Sequence, residues 1–146
     1  MRFYHFDRIG TTLFLTDGTT GAVIDAYACD PYGRLLGRTG ASDQPFVFVG
    51  AWGVRHEPVG SLYDMRARAY DPATARFLTR DPAPPVLAIP ESLNPYQYAY
   101  QRPLRHVDPL GVQPAAGAGA APSGRQTPGK LTGIVQCGSL AKLTPE

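Results

Sequence analysis

Four aspartates in this 146-residue chain stand immediately before a proline: Asp30-Pro31, Asp71-Pro72, Asp81-Pro82 and Asp108-Pro109. A carboxylate so placed can hold a turn, accepting backbone N–H bonds in an Asx-type arrangement while the proline presets φ. It can also act as an acid or base if a second carboxylate lies beside it. Recurrence at strand ends favours the first role for the set as a whole, as one structural unit reused. Other reactive side chains are sparse. Cys29 and Cys137 lie far apart and match no metal-ligand spacing, so they read as two free thiols. His5, His56 and His106 are equally scattered and read as strand or loop residues. No metal and no cofactor is expected.

The elements that would position these aspartates are short. Gly (16) and Pro (15) together make up about a fifth of the chain and are spread along it, which leaves little room for long helices. Aromatic residues reach 10%, with eight Tyr and six Phe, a composition suited to half-buried strands. A net charge of +2 with no dense Lys/Arg run gives no footprint for a nucleic-acid partner. No apolar run has the length of a membrane-spanning helix. Residues 1–10 lack the apolar stretch of a signal peptide, so export would need a non-classical or dedicated route.

Along the chain, residues 11–16 and 22–27 flank the loop Asp17-Gly18-Thr19-Thr20-Gly21 and read as a hairpin. Asp30-Pro31-Tyr32-Gly33 reads as a chain reversal. Phe46-Val47-Phe48-Val49 reads as a strand buried on both faces, bounded by Pro45 and Gly50. Residues 62–70 alternate, with Tyr63, Met65, Ala67 and Ala69 on one face and Asp64, Arg66 and Arg68 on a solvated one, as in a single half-buried strand. From Pro114 to Gly124 the composition collapses to Ala, Gly, Pro and Ser, a flexible linker followed by a weakly apolar stretch at 130–143. The expectation is an all-β fold of tandem antiparallel hairpins with a flexible C-terminal tail, the ordered part ending near residue 112 and residues 113–146 disordered.

Beyond this pattern, the residues resemble a known family, the RHS-repeat-associated core domain at the end of YD-repeat regions in polymorphic toxins and insecticidal toxin-complex C components. Tyr4-His5-Phe6-Asp7-Arg8-Ile9-Gly10-Thr11-Thr12 is similar to the family's Y-H-x-D-x-x-G-S-x, and Tyr27-Ala28-Cys29-Asp30-Pro31-Tyr32-Gly33 to its Y-x-Y-D-P-F-G. Gly60-Ser61-Leu62-Tyr63-Asp64-Met65-Arg66-Ala67-Arg68-Ala69-Tyr70-Asp71-Pro72, continuing to Arg76-Phe77-Leu78-Thr79-Arg80-Asp81-Pro82, resembles G-L-Y-Y-x-R-A-R-Y-Y-D-P-x-x-G-R-F-L-S-R-D-P. Asn94-Pro95-Tyr96-Gln97-Tyr98-Ala99-Tyr100, Pro103 and Asp108-Pro109-Leu110-Gly111 resemble the closing motif. The chain departs from the pattern at Ala75 for Gly, at Gln101-Arg102-Pro103 for N-N-P, at Val112 for Leu, and in the proline-bearing loop 83–92.

The resemblance implies a β-hairpin shell that encloses a variable C-terminal toxin region, with other YD-repeat strands as partners, a toxin or immunity protein as a further one, and a secreted or cell-surface location. It also implies self-cleavage by aspartates after the closing motif, between Val112 and Gln113. The matching positions are Asp81, with Arg80 before it to orient a carboxylate or the substrate strand, and Asp108. Such a reaction needs two carboxylates close enough that only one ionises. Two function classes stay open, a structural shell module and a single-turnover protease. A further reading is a cell-surface or carbohydrate-binding β module, with Trp52, Tyr96, Tyr98 and Tyr100 as stacking platforms. The last is a displaced remnant without activity of its own.

Overall fold

The computed structural model describes residues 1–112 and 114–116. Cys137 and the stretches expected as linker and tail beyond residue 116 lie outside the described residues. The fold is all-β, built from two four-stranded antiparallel meanders and a short two-stranded ribbon. The first sheet runs in chain order through β1 (Arg2–Phe6), β2 (Thr12–Asp17), β3 (Val23–Cys29) and β4 (Leu35–Thr39). The second runs through β5 (Arg55–Glu57), β6 (Leu62–Met65), β7 (Arg68–Asp71) and β8 (Arg76–Phe77). The ribbon pairs β9 (His106–Val107) with β10 (Ala115–Ala116).

The expected hairpin at residues 11–27 forms as β2 and β3. Its loop is held by the Asp17 carboxylate, whose Oδ1 accepts the N–H groups of Thr19 and Thr20 at 2.8 and 2.9 Å. Asp30-Pro31-Tyr32-Gly33 reverses the chain between β3 and β4, with the Asp30 Oδ1 accepting the Tyr32 and Arg34 N–H groups at 2.9 Å each.

Two local expectations are corrected. In Phe46-Val47-Phe48-Val49 the last three residues are buried and Phe46 is half-buried, but the run is not a strand. Two of its carbonyls are satisfied by the first residue of β2 instead, the Thr12 N–H donating to the Val47 carbonyl at 2.8 Å and the Thr12 hydroxyl to the Phe46 carbonyl at 2.6 Å. The run thus works as a plug, Phe48 being 1% and Val49 0% exposed. Residues 62–70 are two strands rather than one, joined by a two-residue turn at Arg66 and Ala67, with Arg66 at a positive φ of 59°. Met65 faces Arg68 across that turn and Tyr63 faces Tyr70. The turn shifts the inward parity, so Arg68 and Tyr70 point into the core and Ala67 and Ala69 away from it.

The core lies between the sheets and is largely aromatic. Phe48 contacts the rings of Tyr63, Tyr70 and Tyr98 at centroid distances of 5.5, 6.1 and 5.7 Å. A buried tyrosine needs a partner for its hydroxyl. Tyr63 donates to the Gly33 carbonyl and Tyr70 to the Tyr32 carbonyl, each at 2.8 Å, so tyrosines of the second sheet fasten the Asp-Pro turn of the first. Burial pushes both phenols well above their ordinary pKa, and they donate as neutral groups.

Candidate functional site: an arginine between two carboxylates

The strand shift at Arg66 and Ala67 has its main chemical consequence at Arg68. This side chain is 3% exposed, with its guanidinium carbon 3.6 Å from the centre of the Phe77 ring. Nη2 reaches Asp81 Oδ2 at 2.8 Å and Asp108 Oδ2 at 3.0 Å. Nη1 donates to the Pro95 carbonyl at 3.0 Å and Nε to the Gly111 carbonyl. Four of its contacts are thus charge-assisted hydrogen bonds, the strong kind for a buried guanidinium. Both aspartates singled out by the sequence are brought together, their oxygens no farther apart than the two bonds to Nη2 laid end to end.

Each partner is fixed by its own backbone. The Asp81 N–H donates to the Pro95 carbonyl at 2.9 Å, and its Oδ1 accepts the Ala83 N–H at 2.8 Å. Asp108 is fully buried, and its Oδ1 accepts the Val112 N–H at 3.1 Å. The closing segment lies against the turn of β6 and β7, the Ala67 N–H donating to the Leu110 carbonyl at 3.2 Å. Gly111 has no room for a side chain there: a Cβ would lie 2.6 Å from the Met65 carbonyl oxygen.

Beside the cluster is a cleft of about 110 Å³ whose lining includes Asp81, Arg80, Pro95, Tyr100, Val112 and Pro114. The site residues expected from sequence therefore gather in one place, apart from Gln113, which lies outside the described residues. Arg80 is exposed, stands at the cleft, and makes no ion pair among the described residues. The arginine that joins the carboxylates is Arg68, which the sequence reading placed on a solvated face. One signal was present: Tyr63 and Tyr70 are an odd number of residues apart, so on one straight strand they could not both be core.

The aromatic residues considered as glycan platforms have other places. Tyr98 is 1% exposed and stacks on Tyr70 at 4.6 Å. Trp52 donates its indole N–H to the Ile9 carbonyl at 3.0 Å. Tyr96 is 42% exposed, and Tyr100 meets His106 edge to face. Among the described residues no group of three His, Cys, Asp or Glu could hold a metal, and no helix is long and apolar enough to cross a membrane.

The architecture is that of RHS/YD-repeat shell proteins, tandem antiparallel hairpins around a tyrosine-rich core. No family model matches the chain. It is similar to part of the solved TcdB2-TccC3-Cdc42 complex, with a TM-score of 0.66 at 23% identity over 76% of this chain and 5% of that one. The Photorhabdus luminescens Tc holotoxin pore is similar at a TM-score of 0.65 and 22% identity, over 82% of this chain and 5% of that one. Among curated sequences, the tRNA nuclease WapA of Bacillus subtilis is 30% identical over 113 residues, 75% of this chain and 5% of WapA. Salivary gland surface protein 1 of Aedes aegypti is 31% identical over 91 residues, 62% of this chain and 2% of that protein. YibJ of Escherichia coli is 30% identical over 115 residues, 77% of this chain and 45% of YibJ. The chain thus spans a few per cent of the large relatives and under half of the small one.

Proposed function

We propose that this chain is the RHS-repeat-associated core segment of a secreted β-shell that holds or presents a C-terminal toxin region, and that it cuts itself once between Val112 and Gln113. The observation that carries this reading is the gathering by Arg68 of Asp81, Asp108 and the Gly111 carbonyl, one residue from Val112. The reaction is hydrolysis. A carboxylate takes a proton from water, the water oxygen bonds to the Val112 carbonyl carbon, and the C–N bond to Gln113 breaks as that nitrogen takes up the proton. A new carboxylate ends at Val112 and a new amine begins at Gln113. Because the substrate is the chain's own backbone, held by hydrogen bonds, the step is effectively intramolecular.

Fold likeness to part of the Tc holotoxin pore, and sequence likeness to WapA, support the toxin setting. The exposed strand β4, paired among the described residues only with β3, offers an edge to further YD strands. Intact mass of the purified chain tests the chemistry. We expect a species ending at Val112 and a second beginning at Gln113, both strongly depleted over the same time in Asp81→Asn. A folded wild-type chain that stays whole would remove the protease reading.

A further inference from the structure

The segment carrying Val112 is built on a turn that the chain uses twice elsewhere. In Asp7-Arg8-Ile9-Gly10-Thr11 the Asp7 carbonyl accepts the Gly10 N–H at 3.1 Å, and Asp7 Oδ1 accepts the Thr11 N–H at 2.8 Å. In Asp30-Pro31-Tyr32-Gly33-Arg34 the same two bonds measure 3.0 and 2.9 Å. In Asp108-Pro109-Leu110-Gly111-Val112 they measure 3.2 and 3.1 Å. The glycine has a positive φ in all three, 90°, 87° and 67°. Of the aspartates compared, Asp7, Asp30 and Asp108 are absent from the lining of the cleft, which holds Asp81.

The second oxygen repeats as well. Asp30 Oδ2 meets the Arg34 guanidinium at 3.4 Å, as Asp108 Oδ2 meets that of Arg68. Asp81 is of another kind. Its Oδ1 accepts the Ala83 N–H two residues on, as Asp7 and Asp30 accept those of Ile9 and Tyr32, but among the described residues it makes no bond four residues on; its side chain is 21% exposed, and it shares the cleft with Val112. The two aspartates also meet through a guanidinium, whereas in a dyad of the aspartic-protease kind two carboxylates share a proton.

We infer that Asp108 is a turn clamp that positions the Val112 segment against Arg68, and that Asp81 alone is the carboxylate that activates water. This division of roles rests on the self-cleavage proposed above. It makes Asn a tolerable substitute at residue 108 and an inactive one at 81. An amide oxygen at 108 can still accept the Val112 N–H, at the cost of the ion pair to Arg68. At 81 the loss is that of the base itself.

The test uses the full 146-residue chain, as wild type, Asp81→Asn and Asp108→Asn, each checked for fold by circular dichroism and followed by intact mass over time. Asp81→Asn should slow cleavage at least about a hundred-fold, the usual contribution of a general base. Asp108→Asn should slow it about tenfold, the effect of one weakened charged hydrogen bond. Equal loss in both folded variants would overturn the division while leaving self-cleavage standing. The wild-type rate against pH decides the matter without any variant. The charged groups facing Asp81 are Arg68, Arg80 at the cleft, and Asp108 across Arg68. One ionising carboxylate gives a rise to a plateau, whereas a bell with two carboxylate limbs would restore the dyad. A wild-type chain uncut at every pH would remove the reaction itself, and the division of roles with it.

Discussion

Replacing Arg68 with Met keeps an unbranched stem of similar reach and removes only the guanidinium. The variant loses the bonds to Asp81 at 2.8 Å and Asp108 at 3.0 Å, both carbonyl contacts, and the cation over the Phe77 ring. Asp108 dominates the result because it is fully buried, and water cannot replace the missing cation there. Removing one partner of a buried pair costs about 3–5 kcal/mol, most of it the stranded charge. Asp81 adds little, since at 21% exposure solvent can screen it. At about 4 °C per kcal/mol for a domain near this size, the melting midpoint should fall by about 12–20 °C. The assay is urea and thermal unfolding followed by two optical probes, with Asp108→Asn measured alone and on the Arg68→Met background. Alone, Asp108→Asn should destabilise. On the Arg68→Met background it should return part of the loss, because the stranded charge is gone. A loss below about 1 kcal/mol for Arg68→Met, the size of an exposed pair, would refute the reasoning. So would simple addition of the two losses.

Four further outcomes follow from the same geometry. Ala75 stands at φ 58° where the resembled family has glycine, so Ala75→Gly should stabilise by about 0.5–1 kcal/mol as relief of left-handed strain exceeds the glycine entropy; an unchanged or lower urea midpoint counts against this. Gly33→Ala would set a Cβ 2.5 Å from the Phe48 ring at φ 87°, and a cost of about 2–4 kcal/mol is expected from strain and overpacking combined. Tyr63→Phe and Tyr70→Phe should each cost about 1–2 kcal/mol, through a lost hydrogen bond and a buried carbonyl left under-satisfied; denaturant titration of each would show it. Burial, then the carboxylates of Asp30 and Asp7, push the Cys29 thiol up to about 12. It therefore stays protonated at pH 8, and iodoacetamide should label it far more slowly in the native chain than in urea, as read by peptide mass; rapid native labelling would contradict the burial.

Much of the architecture could be read from sequence because short-range chemistry fixes it. The β2–β3 hairpin was legible because Asp17 and the loop that follows carry their own hydrogen-bonding instructions, and the Asp30 turn for the same reason. The two misplaced elements depend on distant partners. Phe46-Val47-Phe48-Val49 has strand composition but finds its backbone partners at Thr11 and Thr12, more than thirty residues away, through side-chain hydroxyls as well as backbone. Residues 62–70 alternate so regularly that the turn is hidden, since Arg66 and Ala67 carry no glycine or proline to announce it. That one missed turn hid Arg68, because side-chain direction in a strand flips with each residue of register. The carboxylates at 81 and 108 were singled out through the resemblance to a family. Their meeting through a guanidinium could not be, because it arises from two segments joined only in three dimensions.

The repeated Asp-x-x-Gly turn connects the fold to the proposed chemistry. At Asp30 the turn is locked by tyrosines from the opposite sheet, through the Tyr32 and Gly33 carbonyls. At Asp108 the equivalent glycine carbonyl, that of Gly111, is taken by Arg68 instead. A neutral phenol has become a cation, and the cation draws in a second carboxylate, Asp81, from the end of the second sheet. Little else distinguishes a turn that only folds the chain from one set beside a cleft with an acid. On this argument the site is an ordinary turn of the repeat with one exchanged anchor. Restoring a neutral anchor at residue 68 should therefore leave the turn at Asp108 formed, while uncoupling it from Asp81.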